Sequence, residues 1–228
     1  MLRVIILTLG LILLLGSSYI LADEKPNISK IADQPKLSKK LPNETQLDKL
    51  RELGDDVKIE WNRENGTPLF LYGSLAKSTN GITAERASNN FLDEHKALFK
   101  LEIPEKDLKI HSLETDQIGY THVKYDQYID DVPIWGSQLG IHINPGREVY
   151  AVSGNYHPSI DMSTMPSIAD SQAMTIAIKD FNINDPRQVD GRAKLVVFPW
   201  KDEYHLCWHI QQNVRRYILA IFYRCTFR

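Results

Sequence analysis

From position 121 to position 156 the side chains alternate in character at every second place, and that period restricts this stretch to antiparallel strands. Thr121, Val123, Tyr125, Gln127 and Ile129 fall on one side, and His122, Lys124, Asp126 and Tyr128 on the other, because successive side chains of a strand point to opposite faces. Leu139, Ile141 and Ile143 alternate with Gly140 and His142. Asn144, Pro145 and Gly146 then carry a turn signal, and Val149 to Tyr156 reads as the returning strand, so 138–156 is predicted to be a hairpin. A second hairpin is expected over 57–75. Val57, Ile59 and Trp61 share a face, Asn65 and Gly66 mark the turn, and Leu69, Leu71 and Tyr72 follow.

Two stretches carry a helical period instead. Ala84, Ala87, Phe91, Leu92, Leu98 and Phe99 recur at spacings of three and four, which predicts a helix over 83–99 with Thr83 as N-cap and Glu85 in its first turn. Pro104 cannot continue it. A second helix is expected from Asp170 to Phe181, with Ala173, Ile176 and Ala177 on its inner side. Lys194 to Phe198 and Tyr204 to Gln211 read as two further strands. Helices set apart from hairpins predict an α+β fold, in two small modules that each pack a helix on a curved antiparallel sheet.

The chain begins with Arg3, an apolar run from Val4 to Leu15 and the small residues Gly16, Ser17 and Ser18, ahead of Ala22 and the acidic pair Asp23 and Glu24. This pattern predicts an export signal over 1–22, cleaved after Ala22, and hence a secreted or periplasmic location. A retained anchor is the alternative, since the run extended to Leu21 nearly reaches the ~20 residues of a spanning helix. Residues 23–55 are rich in polar residues and are expected to be a poorly ordered spacer, although Leu47, Leu50 and Leu53 are spaced as a short helical turn would space them. With 43% hydrophobic and 25% charged residues and a net charge of −2, the composition is that of an ordinary globular protein. It offers no electrostatic case for nucleic acid or an anionic membrane as partner. The two cysteines, Cys207 and Cys225, do not make a disulfide framework; either one bridge or two thiols is compatible with the sequence.

The block from Gly119 to Ser137 has a His-Val-Lys strand at His122, Val123 and Lys124, then Gln127, and then Val132, Pro133, Ile134 and Gly136 after a turn. It resembles the pro-region (FTP and PepSY modules) of thermolysin-like and fungalysin-like metallopeptidase precursors. Leu139–Gly154 looks like the hairpin that follows in that family. Pro166 to Ala177 and the strands near 194–210 look like the adjoining PepSY module. The resemblance implies an FTP-like module over 56–157, a PepSY-like module over 158–228, and family-motif positions at His122, Lys124, Gln127, Pro133 and Gly136. It further implies an intramolecular chaperone or inhibitor whose partner is a thermolysin-like peptidase domain in cis or in trans. A free-standing PepSY-type binding or inhibitor module is the alternative. Read on their own chemistry, Val132 and Pro133 suit an edge strand or a strand start, and Gly136 suits a bulge.

Catalysis is not expected of this chain. Thermolysin-type chemistry needs His-Glu-x-x-His on a helix, where two imidazoles one turn apart meet one Zn²⁺ and the Glu serves as base; that motif is absent from the sequence. No cofactor is therefore expected, and zinc is implied only for a peptidase domain outside this chain. Asp93, Glu94 and His95 lack a second His at the needed spacing and read as a solvated helix face. His205, Cys207 and His209 share one strand face, at ~6.5–7 Å between neighbours. One Zn²⁺ could take two of them, but Leu206, Trp208 and Ile210 form the evident core face, so the His/Cys face is expected to meet solvent. The basic, apolar stretch after Asn213 departs from the family pattern. It predicts a truncated or shifted reading frame near that residue.

Overall fold

The computed structural model describes residues 5–8, 40–76, 81–180, 189–200, 203–214 and 217–224. It is an α+β protein, as the pattern of periods requires. In chain order the elements are β1 (Ile5–Thr8), α1 (Glu44–Leu53), β2 (Lys58–Trp61), β3 (Pro68–Ala76), α2 (Ala84–Glu94), α3 (Lys96–Phe99), α4 (Pro104–Asp107), β4 (Leu108–Thr115), β5 (Thr121–Ile129), β6 (Val132–Ile143), β7 (Val149–Asn155), α5 (Asp170–Asp180), β8 (Val189–Trp200), β9 (Glu203–Val214) and β10 (Tyr217–Arg224).

The first region pairs its strands in the order β4-β5-β6-β7-β3-β2, all antiparallel. The alternation in β5 is clearest in its middle: Val123, Tyr125 and Gln127 are buried while Lys124 faces solvent, and Thr121 and Ile129 at its ends are half-buried. Phe91 and Leu92 of α2 and Leu98 and Phe99 of α3 pack with Leu71, Val123, Tyr125, Leu139, Ile141 and Val152 into one core. The helix predicted over 83–99 is thus two helices, interrupted at His95, which is both the C-cap of α2 and the N-cap of α3. Thr83 caps α2 as expected, its side chain accepting from the Arg86 N–H. The chain turns after α3 at Lys100, in a left-handed conformation with φ of 57°.

The expectation of poor order over 23–55 needs correction for its last third. α1 is closed by a capping box in which Asn43 and Gln46 each accept from the other's backbone N–H. Gln46 is fully buried, and its amide donates to the Leu98 carbonyl at 2.8 Å and the Gly66 carbonyl at 2.9 Å. Leu50 and Leu53 pack on the main core. A polar side chain can order this helix because its hydrogen bonds are made to carbonyls that would otherwise be buried without partners. Residues 9–39, most of the predicted export signal among them, lie outside the described residues.

The second region is α5 laid on β8 and β9. Ala173 and Ala177 meet Ala193 and Ile210, with Ile168, Met174, Ile176 and Trp208 at the margin. The Trp208 indole N–H donates to the Ile168 carbonyl at 2.9 Å and ties the approach to α5 onto the sheet. β10 pairs with β9, and β1 with β10. The two regions form one continuous sheet because β8 runs parallel to β6 at a single register pair, Ile134 with Val197.

Candidate functional site: the strand that changes sheets

β6 changes partners within its own length, and the motif residues from Gln127 to Gly136 make the change possible. Asp130 and Asp131 both have positive φ, 44° and 67°, the conformation of a tight two-residue hairpin turn. After that turn Val132 and Pro133 pair with Ile129 and Tyr128. The ladder then breaks: the next pair is Gln138 with Asp126, so four residues of β6 stand opposite Gln127 alone. Within this bulge Ile134 reaches β8. Gly136 takes a φ of 74° with open space around a hypothetical Cβ. Glycine is required there by backbone conformation, not by crowding.

Gln127 fills the gap that the bulge opens. Its side-chain oxygen accepts from the Ser137 hydroxyl at 2.5 Å and from the His157 N–H at 2.9 Å, and its amide donates to the His157 carbonyl at 2.7 Å. The Asn155 carbonyl lies 2.8 Å from the same hydroxyl, whose single proton it shares with Gln127. Gln127 and Ser137 are both buried. One side chain therefore clamps the bulge to the exit of β7, where the chain leaves the first region. Across the junction the His157 ring meets the Tyr204 hydroxyl at 3.1 Å. Burial lowers the pKa of His157, with Glu64 opposing, and raises that of Tyr204. Ile134 and Val132 pack with Val197 and Leu206 beneath.

The structure brings Gln127, Pro133 and Gly136 together and leaves His122 and Lys124 apart from them. Those two lie further along β5 on its outer face, Lys124 exposed and His122 half-buried. His122 Nδ1 lies 2.8 Å from His142 Nδ1, and His142 Nε2 lies 2.9 Å from the Ser153 hydroxyl. Two ring nitrogens at that distance hold one proton between them. Burial lowers the pKa of His142, reinforced by the neighbouring His122 and Lys124 charges. Asp116 sits 3.7 Å from the far side of His122.

Two expectations about other clusters are overturned. Asp93 and Glu94 are exposed, but His95 is buried, its ring 4.6 Å from that of Phe91. It is buried because the chain bends there between α2 and α3. The His205, Cys207 and His209 face does not meet solvent either: all three are buried. β9 is covered on both faces. Cys207 packs with Val196, Phe198 and Trp135 of β6, and His209 lies 4.4 Å from the Trp135 ring. Burial lowers the His209 pKa, with the Lys194 charge adding to it. His205 lies 3.8 Å from Glu203. Among the described residues no group of three or more His, Cys, Asp or Glu side chains is placed to hold a metal ion. Cys225, the other half of the bridge left open by the sequence, lies outside the described residues.

Sequence reasoning missed Ser137 and His157. Ser137 follows the Val-Pro-Ile-x-Gly stretch directly, and His157 follows Tyr156, the end of the expected returning strand. Neither carries a period or spacing of its own.

Comparison with known proteins falls on this same junction. Residues 106–156 match the Fungalysin/Thermolysin Propeptide Motif, a span that runs from the end of α4 through β4, β5, β6 and β7. The chain is 30% identical over 134 residues to a bacillolysin of Bacillus subtilis (strain 168), covering 58% of this chain and 26% of that protein. It is 29% identical over 164 residues to a thermolysin of Alicyclobacillus acidocaldarius subsp. acidocaldarius, covering 68% of this chain and 29% of that protein. A thermostable neutral protease NprT of Geobacillus stearothermophilus is 28% identical over 167 residues, which is 69% of this chain and 30% of that protein. The matched part thus spans between a quarter and a third of the length of these relatives. The sheet whose strand changes partners at Gln127 and Gly136 carries a fungalysin/thermolysin propeptide motif, and the aligned 58–68% of the chain resembles thermolysin-like metallopeptidases in the manner of a propeptide.

Proposed function

We propose that this chain is an exported pro-region of a thermolysin-like zinc metallopeptidase precursor, acting as chaperone and inhibitor of the peptidase and itself non-catalytic. The observation that carries the reading is the propeptide motif over 106–156, laid on a sheet whose buried polar residues are spent on architecture. Gln127, Ser137 and Gln46 all satisfy backbone or side-chain groups of the fold. The FTP-like module is taken as 56–157 with α1 packed onto it, and the second module as 158–228, PepSY-like in kind. A folded pro-region that binds the native peptidase and not its unfolded chain stabilises the native state by mass action. The same contact can cover the substrate cleft until the pro-region is removed.

Mixing tests this directly. The purified chain is added to a thermolysin-like peptidase, once during steady-state hydrolysis and once during refolding from denaturant. The reading expects slower hydrolysis at nanomolar to micromolar chain and a higher refolding yield. An unchanged rate and an unchanged yield at high chain concentration defeat it.

A further inference from the structure

The sheet of the first region ends at β4, and among the described residues that end is open. Among the described residues β4 pairs only with β5. The outer edge of Leu108–Thr115 therefore presents backbone N–H and C=O groups to any strand that approaches. Two side chains on the core side of β4 remain well exposed. Ile110 stands across from Tyr125 and Leu113 across from Val123, both deeply buried, yet Ile110 is 39% and Leu113 45% exposed. The sheet reaches further than the helices that cover it.

Between that edge and helices α2 and α4 lies a groove of about 390 Å³. Ile110, Leu108 and Tyr125 form its apolar wall, and its charged lining consists of carboxylates alone: Glu85, Asp93 and Glu105. Asp93 has Lys96 at 3.5 Å on its outer side. Glu85 and Glu105 form no ion pair among the described residues. Natural edge strands are commonly guarded by a lysine that blocks pairing. Lys109 of β4 is instead folded back over its own sheet, its ammonium 2.6 Å from Asp131 and 4.4 Å from the centre of the Tyr128 ring. The register shift between Ile110 and Ser112 bends β4, which leaves the run from Ser112 to Thr115 as the regular part of the edge.

We propose that the free edge of β4 and the groove beside it are a docking site for an extended, cationic segment of another polypeptide. The segment adds to the sheet as one more strand, with main-chain hydrogen bonds supplying affinity and alternate side chains supplying selectivity. An apolar side chain covers Ile110 or Leu113, and an inward-facing Lys or Arg meets the Glu85, Asp93 and Glu105 carboxylates. A second copy of this chain is a poor occupant, because two such edges would set carboxylates against carboxylates. The proposal stands on the β4 edge and its groove, and does not depend on the pro-region reading.

The test uses the full chain and two labelled strand peptides. One alternates Val and Thr with Lys at its inward-facing positions; the other carries Glu in place of Lys. Binding by fluorescence polarisation is expected to favour the Lys peptide by about fivefold at low salt, the factor that about 1 kcal/mol of partly exposed charge pairing supplies. Amides of 108–115 should gain hydrogen-exchange protection on binding. The double variant Glu85→Lys, Glu105→Lys should reverse the preference, and Leu113→Lys should abolish binding of the Lys peptide. Circular dichroism establishes that each variant is folded. The charge reversal lies on helix surfaces and decides the matter if the strand variant does not fold. Equal binding of the two peptides overturns the proposal. So does protection at β2 in place of β4, absence of binding up to the peptide's solubility limit, or protection of β4 that grows with protein concentration without peptide.

Discussion

The two regions of this protein use one kind of strand pairing and very different interiors. The first is closed by aromatic and branched side chains, with Phe91, Phe99, Leu71, Leu98 and Ile141 almost wholly removed from water. The second presses α5 onto its sheet through Ala173 and Ala177, residues that let the helix approach closely but remove little apolar area from water. It makes up the difference on the other face of β9, where Trp135 from the first region lies against Cys207 and His209. One region thus holds its own core, and the other borrows part of its cover through β6. The lesson is that a continuous sheet does not imply a uniform interior.

Experiments can strain that contrast in order of expected effect. Phe91→Ala should cost about 3–5 kcal/mol and unfold the first region. Because the second leans on β6, the emission of its Trp200 and Trp208 should change in the same urea transition. A second transition that survives the substitution would break the comparison. Gln127→Leu should cost about 1–3 kcal/mol, the price of leaving the half-buried His157 N–H and carbonyl and the buried Ser137 hydroxyl without their partner. Hydrogen exchange should rise at the exit of β7 while the amides of α2 keep their protection; loss spread evenly over both would show that Gln127 does not act at the junction. Replacing the N-cap, Thr83→Ala, should cost about 1 kcal/mol by calorimetry and leave the second region's exchange untouched.

The smallest effect is expected from pH. Burial lowers the folded-state pKa of His95, His157 and His209, whereas an unfolded His titrates near ~6.5. As pH falls through that unfolded value the denatured chain takes up protons that the folded chain refuses, so stability is lost toward the lower folded-state values. Above about pH 7.5 these groups should contribute no slope. Melting temperatures taken on either side of that window check the sign. His95→Gln should flatten the part owed to the first region, and His209→Gln the part owed to the second.

Much of the first region could be read from residue periods. The alternation through Val123 and Tyr125, the turn at Asn65 and Gly66, and the cap at Thr83 all depend on near neighbours. What escaped depended on distant ones. Gln46 looks like any polar residue of a spacer until its partners, the carbonyls of Gly66 and Leu98, are known. His205, Cys207 and His209 read as a wet face because the sequence carries no sign that Trp135 would cover it. Parallel contact between β6 and β8 has no period at all. At the junction itself, Gln127, Pro133 and Gly136 were recognisable, and Pro133 and Gly136 had a readable backbone role. The clamp through Ser137 and His157 became visible only once the bulge had brought them together.

Gly154 shows how narrowly the first region is built. With φ of 146°, a Cβ there would lie 2.1 Å from the Gln138 carbonyl oxygen, so no side chain fits where β7 passes β6. That contact lies at the register pair Leu139 with Gly154, immediately beyond the bulge. β6 is paired on both sides there, with β5 and with β7, while its other end meets β8. A strand already fixed offers the arriving one a template whose own ordering entropy has been spent. The edge that β8 meets thus belongs to a strand the first region holds on both sides, so the second region inherits a position it does not itself have to define.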